Sequence, residues 1–554
     1  MFSVGFILSW FLSILDFALM LAAALLLLLR PRWSPLVIPQ WFRQLARRPV
    51  ASFLALGLGV LLLRVALIPL LGIPQPFAHD EYSYLLAADT FAHGRLTNPT
   101  PPLWQHFETF HVIMQPTYQS MYAPGQGLIL ALGQLLGNPW FGQLLITALL
   151  FASLLWMLRA WLPPVWALVG ACLAALRLGI LSYFLNSYWS GSIVALAGVL
   201  VLGAWPRLKR RPNVRDALLM GLGLVLLANT RPYEGLIYSL PFAAAMLFWL
   251  RDPRRPSWPV VISRAIVPLA TVLLMGSLAT GFYYRSVTGS PFRMTYEIDR
   301  STYGMPPYFL WSTPRPEPIY RHAAMRALWV RESENYHDQQ TWRGFLRYST
   351  LKFARAWAFF LGPLLFVPFL LALWHWRDRR TRFAFVLVAA IIAALLPETW
   401  GLPHYFAPAT GAFFLLVTQG LRHLSHWRWR SQIIGPALVR RIFAIAVVII
   451  ASRLVAAATH LSIDYRWPRG NLERTRIMRR LETIPGGHVI IVQYTPSHTL
   501  DNEWVFNAAD LESSRVIWAR DMGPQNQELR RQFPHRQLWV LHADDTDPQP
   551  EPLR

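Results

Sequence analysis

Cysteine is nearly absent: Cys172 is the only one in 554 residues. An intramolecular disulfide and a cysteine-based metal site are both excluded. Charge is scarce as well. Charged residues make up 15% of the chain against 54% hydrophobic ones, where a soluble domain carries roughly 25% charged residues. That excludes an ordinary soluble protein. A Gly-rich nucleotide-binding loop and an internal repeat are also lacking, which removes two further function classes. The stretch 6–29 has no basic leader and no small-residue cleavage site, so it reads as a retained helix rather than a signal peptide. Acidic residues are outnumbered: 29 Asp and Glu face 52 Lys and Arg, for a net charge of +23. Such a balance can mark a nucleic-acid binder. Here the arginines sit in short loops beside apolar stretches, where membrane sidedness accounts for them. We expect no nucleic-acid partner.

What is present is a series of apolar stretches long enough to cross a bilayer core of about 30 Å. They fall near 6–29, 51–72, 139–158, 164–181, 189–205, 216–231, 234–250, 259–282, 352–376, 383–397, 403–421 and 436–459. The chain therefore reads as mainly α, a polytopic transmembrane bundle of about twelve helices. Arg-rich loops around 30–48, 207–215, 251–255, 377–382 and 422–441 are assigned to the cytoplasm. An even number of spans lies between successive basic loops. The exception is 126–137, too short to cross alone, which reads as a partly inserted helix. Both termini and the polar loops then fall outside, at the plasma membrane. A transporter would bury its polar groups near the midplane. Here they gather at outer helix ends, which favours an interfacial enzyme.

Residues 73–125 form the richest of these loops. Asp80-Glu81 follows directly on a span, and acids at a membrane edge are costly and tend to be functional. Asp80 could deprotonate an acceptor hydroxyl as it attacks a sugar carbon, with Glu81 positioning or binding. The bland alternative is a helix cap at Asp80. His106, Glu108 and His111 could hold a divalent cation, although their spacing matches no strong metal motif. Otherwise they are hydrogen-bonding groups for sugar or phosphate. Tyr118 and Tyr122 close the loop with aromatic rings. Tyr188 and Trp189 could stack on a sugar or belong to an interfacial belt. Arg231 could hold a phosphate bidentately or pair with Glu234. His404-Tyr405 opens a helix and could meet an anion there. Arg285 begins the outer loop 283–350, whose mix of aromatic, Pro and Arg residues suits a headgroup-level segment or a lid.

After about residue 460 the composition becomes that of a globular unit. Stretches 488–492, 516–519 and 537–541 read as strands, with a short helix over 525–533. Strand, helix, strand suggests a small extracytoplasmic α/β domain, 461–554, with parallel strands. It is small for an independent core and is expected to dock on the membrane domain, 1–460. The end, 544–554, is Pro- and Asp-rich and is expected to be disordered.

These residues resemble a family. A multi-span chain with Asp80-Glu81 in its first large outer loop is similar to the GT-C class of glycosyltransferases. Within it, the resemblance is to bacterial relatives of the protein O-mannosyltransferases and the lipid A aminoarabinose transferase. Tyr122-Ala123-Pro124-Gly125-Gln126-Gly127 stands where that family has a Pro-Pro-Leu-like helix start. His404-Tyr405-Phe406-Ala407-Pro408 looks like its late Arg-Tyr-x-x-Pro element, with His in place of Arg. The resemblance covers roughly 51–460. It implies a polyprenyl-phosphate-linked sugar donor, inverting transfer and an outer-face site. The acceptor could be a glycan, a lipid or a protein. A lipid-linked oligosaccharide ligase or polymerase, or a polyprenyl-linked glycan transporter, stays open as the alternative.

Overall fold

The computed structural model describes residues 38–429, 432–459 and 470–553, together with 18, 21 and 22. The expected helix over 6–29 lies outside the described residues. Among the described residues six helices are long and apolar enough to cross a bilayer, or seven if one bent pair counts as a span: Pro49–Ala66, Pro139–Trp161, Gly191–Arg210, Pro232–Arg251, Trp258–Thr288 and Gly435–Ala458. The two central ones have 78% and 94% of their apolar windows buried, whereas the first, fifth and sixth have 17%, 11% and 17%. So much exposed Leu, Val and Ile is stable only against lipid.

The expectation of about twelve spans is not reproduced by length and composition. Several of the sequence stretches become shorter helices, such as Pro164–Leu178 and Thr381–Leu395. The stretch 352–376, expected as one span, is broken. Helices Trp342–Phe360 and Gly362–Trp374 meet at 97°. Gly362 turns the chain at φ +58, and a Cβ there would press on the Arg177 guanidinium. Arg177 in turn donates to the carbonyls of Phe359 (3.1 Å) and Ala358, which the break leaves free.

The elements outside the long spans are labelled in chain order. Helix α1 (His79–Ala92) packs on α2 (Pro124–Leu135), the helix expected near 126–137. Gly137, at φ +103, turns α2 back onto the 139–161 span. The two helices meet glycine on glycine, Gly133 against Gly142, where a Cβ would collide with backbone. Between α1 and α2 lies a short hairpin, β1 (Val112–Ile113) with β2 (Gln119–Ser120). The segment after the 258–288 span contributes α3 (Thr295–Thr302) and α4 (Ala323–Gln340).

The C-terminal unit contains α5 (Leu472–Glu482), α6 (Asn526–Gln532) and a sheet of β3 (Gly487–Gln493), β4 (Val516–Arg520), β5 (Arg536–His542) and β6 (Glu551–Pro552). The order is β4-β3-β5-β6. β3 runs parallel to both β4 and β5, as the strand–helix–strand pattern implies. The tail expected to be disordered instead pairs: β6 runs antiparallel along β5. Backbone pairing on an otherwise open sheet edge outweighs the tail's polar composition.

The unit does not stand alone. Tyr82, Leu86, Phe107 and Val112 share one core with Val489, Ile491, Ile517 and Leu538. Tyr82 stacks on Phe506 at 4.2 Å, nearly coplanar. Arg520 donates to the Glu108 carbonyl at 2.5 Å and pairs with buried Glu503 at 2.6 Å. So small a unit lacks the interior to bury its own sheet face, and the loop 73–125 supplies the missing half.

Candidate active site

The first turn of α1 sets the site. Its N-cap is Ala78, so Asp80 is not the capping group. That task falls to Glu81, whose Oε1 accepts from the amides of Phe77 and Ala78, both at 3.3 Å. Its Oε2 accepts from the Tyr188 amide at 2.9 Å. Glu81 thereby ties α1 to the loop 182–190, which Arg64 also grips through Asn186 (2.9 Å). Burial pushes the Glu81 carboxyl up to about 7, against the pull of those amides.

Asp80 is left facing other side chains. It accepts a hydrogen bond from the Tyr122 hydroxyl. His111 Nε2 lies 3.6 Å from the same oxygen, and His79 Nδ1 lies 3.8 Å from the other. Burial raises the Asp80 carboxyl above the usual range, while the charges of His79 and Arg231 pull it down in part. His111 is held the opposite way: burial first, then the charges of His79 and Arg300, keep it neutral far below its ordinary value. It also sits at φ +60, a left-handed conformation rare outside glycine.

The expected cation cluster of His106, Glu108 and His111 does not form. Only His111 reaches Asp80. His106 turns to the Arg520 carbonyl (3.3 Å), and Glu108 turns to the Tyr303 hydroxyl (2.9 Å), Arg321 (3.2 Å) and His322 (3.5 Å). The 3₁₀ turn Trp104–Phe107 and the left-handed residue at 111 separate what the sequence places side by side. Among the described residues the one group with metal-ligand geometry is His79, Asp80 and His111, whose ligating atoms lie within 4.8 Å of one another.

A second group forms at the N-terminal end of the 232–251 span. Arg231 lies over the Tyr405 ring at 4.1 Å and 3.5 Å from Glu234. Its Nε, the Glu234 Oε1 and the Glu398 Oε2 are buried without hydrogen-bond partners among the described residues. Glu398 is pushed well up by burial, then by Glu234. His404 is buried, its ring 4.4 Å from Trp189, with Nδ1 3.2 Å from the Tyr183 hydroxyl and Nε2 without a hydrogen-bond partner among the described residues. The Gly125 amide, three residues after Tyr122, donates to the Asn229 carbonyl (2.8 Å), two residues before Arg231, so the two groups lie side by side.

Three expected substrate residues lie elsewhere. Tyr118 donates to the Asn507 carbonyl (3.1 Å) and fastens the C-terminal unit. Tyr188 donates to the Pro74 carbonyl (2.9 Å). Arg285 is exposed on the lipid-facing 258–288 helix and joins neither group. Sequence reasoning overlooked His79, Tyr84, Tyr296 and Glu398. His79 adjoins Asp80 in the chain and was open to inspection. Tyr296 and Glu398 arrive from distant segments and carry no local signal.

No family model matches the chain, and no curated protein does. Among solved structures it is similar to an Archaeoglobus fulgidus oligosaccharyltransferase tethered with an acceptor peptide, at 13% identity and a TM-score of 0.48, over 82% of this chain and 62% of that one. It is also similar to ArnT from Cupriavidus metallidurans bound to undecaprenyl phosphate, at 14% identity and 0.47, over 88% of each chain. The chain thus spans under two thirds of the oligosaccharyltransferase's length.

Proposed function

We propose that this chain is a GT-C-type membrane glycosyltransferase. It transfers a sugar from a polyprenyl-phosphate donor to an acceptor glycan, lipid or protein at the outer face of the plasma membrane. The observation that carries the reading is the pairing of two opposite chemistries in one site. Asp80 is a carboxylate whose basicity burial enhances, and Arg231 with His404 offers buried, unpartnered nitrogens to an anion.

The acceptor oxygen attacks the anomeric carbon as the bond from that carbon to the phosphate oxygen breaks. Asp80 takes the acceptor proton. Tyr122 and α1 hold the carboxylate in place, and Glu81 positions α1 through its three amide contacts. The electron pair leaves with the polyprenyl phosphate, whose charge Arg231 receives. When Tyr183 donates to His404 Nδ1, the neutral ring carries its proton on Nε2, the atom free to donate to that phosphate. Attack opposite the leaving group inverts the anomeric centre.

The two imidazoles and one carboxylate of His79, Asp80 and His111 also suit a divalent cation. Such a cation, when bound, would polarise the acceptor hydroxyl.

The test is mass spectrometry of cell-envelope glycans and glycoproteins from cells carrying the wild-type gene, a deletion or Asp80→Asn. The reading expects one glycosyl unit to vanish in both altered strains. Identical envelopes in all three would sink it.

A further inference from the structure

A donor stretched from Arg231 to Asp80 must lay its sugar ring between them, and the side chains that bridge that gap are tyrosines. Tyr84 is buried one turn after Asp80 on α1. Its ring stacks on Tyr122 at 4.4 Å, and Tyr122 holds Asp80. Tyr296 stands edge-on to Tyr122 at 5.6 Å. Beyond it Tyr308 follows at 6.4 Å. Tyr296 comes from α3, in the outer segment far along the chain. Buried Ile298 anchors α3 in the same core as Tyr84 and Tyr122, which fixes where Tyr296 stands.

We infer that Tyr296, with Tyr84 and Tyr122, forms the subsite for the donor's sugar ring, and that α3 makes Tyr296 a specificity-determining residue. The inference rests on the glycosyltransferase reading. Aromatic faces and edges suit the C–H faces of a sugar, and a mostly apolar lining with few polar groups is how small-ligand sites orient what they hold. Phosphate recognition stays with Arg231, so the sugar and the phosphate are read by different residues.

The test uses the full chain in detergent. It compares binding of undecaprenyl phosphate alone with undecaprenyl phosphate carrying glucose, mannose or arabinose, by displacement of a fluorescent polyprenyl phosphate. Wild type should hold at least one sugar-bearing lipid about fivefold or more tighter than the bare lipid, the worth of one buried apolar face. Tyr296→Ala should erase that difference and leave the bare lipid's affinity unchanged. Tyr296→Phe should keep it. Tyr296→Leu carries the same test where the alanine variant fails to purify as a single species. A sugar preference that survives in Tyr296→Ala, or equal losses for bare and sugar-bearing lipid, overturns the inference. Equal wild-type affinity for all four lipids overturns it as well while leaving the phosphate site standing. Failure of wild type to bind any of them removes the glycosyltransferase reading itself.

Discussion

The Tyr122 hydroxyl donates its hydrogen bond to Asp80 Oδ1, joining the start of α2 to the start of α1 across 42 residues. The bond stabilises the ionised carboxylate, while burial works against ionisation. Asp80 must be deprotonated to accept a proton, so activity falls as pH drops through its raised folded-state value. Tyr122→Phe removes support for the charged form and should move that acid limb to higher pH in a profile of kcat/KM. Asp80→Asn should lower turnover by about 10²–10⁴ at pH values above that limb, the usual worth of a positioned base, and should itself lack the limb. An acid limb unmoved in Tyr122→Phe would detach Tyr122 from the base.

Glu81→Gln should act on stability more than on chemistry. Glu81 accepts from three amides, and a glutamine must turn its NH₂ group toward at least one of them. A buried amide facing another donor costs about 1–3 kcal/mol. Thermal unfolding followed by tryptophan fluorescence should show the loss, with turnover per folded molecule far above that of Asp80→Asn. An intact melting temperature with abolished turnover would instead make Glu81 a direct participant.

Arg231→Ala should weaken binding of undecaprenyl phosphate at least about tenfold, since a hydrogen bond to a charged group is worth about 1.5–3 kcal/mol. It also strips buried Glu234 of its cation. Adding Glu234→Gln should restore expression without restoring affinity. Recovery of both would leave Arg231 as a structural ion pair.

Arg520→Met should loosen the C-terminal unit. It leaves Glu503 buried without its cation, a loss of about 3–5 kcal/mol, and cuts the bond to the Glu108 carbonyl. Limited proteolysis between the last span and α5 should accelerate, and Glu503→Gln should partly reverse it. Equal cleavage rates would show that the shared apolar core alone holds the unit.

Orientation is tested by labelling. In a chain with Cys172 replaced by alanine, a cysteine at exposed position 545 should react with an impermeant maleimide in intact cells, and one at exposed position 210 should not. The reverse pattern would place the site in the cytoplasm.

Composition and runs of apolar residues alone determined the membrane class, the polar loop 73–125 between apolar stretches and the three parallel strands of the C-terminal unit. Those properties depend on runs of neighbouring residues: an apolar stretch of about 20 residues partitions into lipid, and a short continuous apolar run reads as a strand buried on both faces, whatever lies far away. Asp80 stood out as a candidate for the same reason, because an acid beside a span is costly wherever the chain goes next. The helix count was not, since a span such as 352–376 breaks where one glycine and a buried arginine from another helix meet. The partners of Asp80 were decided only in three dimensions. His111 reaches it through a left-handed turn while His106 and Glu108 are drawn away, to the C-terminal unit and to the segment after the 258–288 span. Tyr296 and Glu398 stand at the site because distant segments bury apolar surface together. That energy follows contact area, and sequence distance does not enter it.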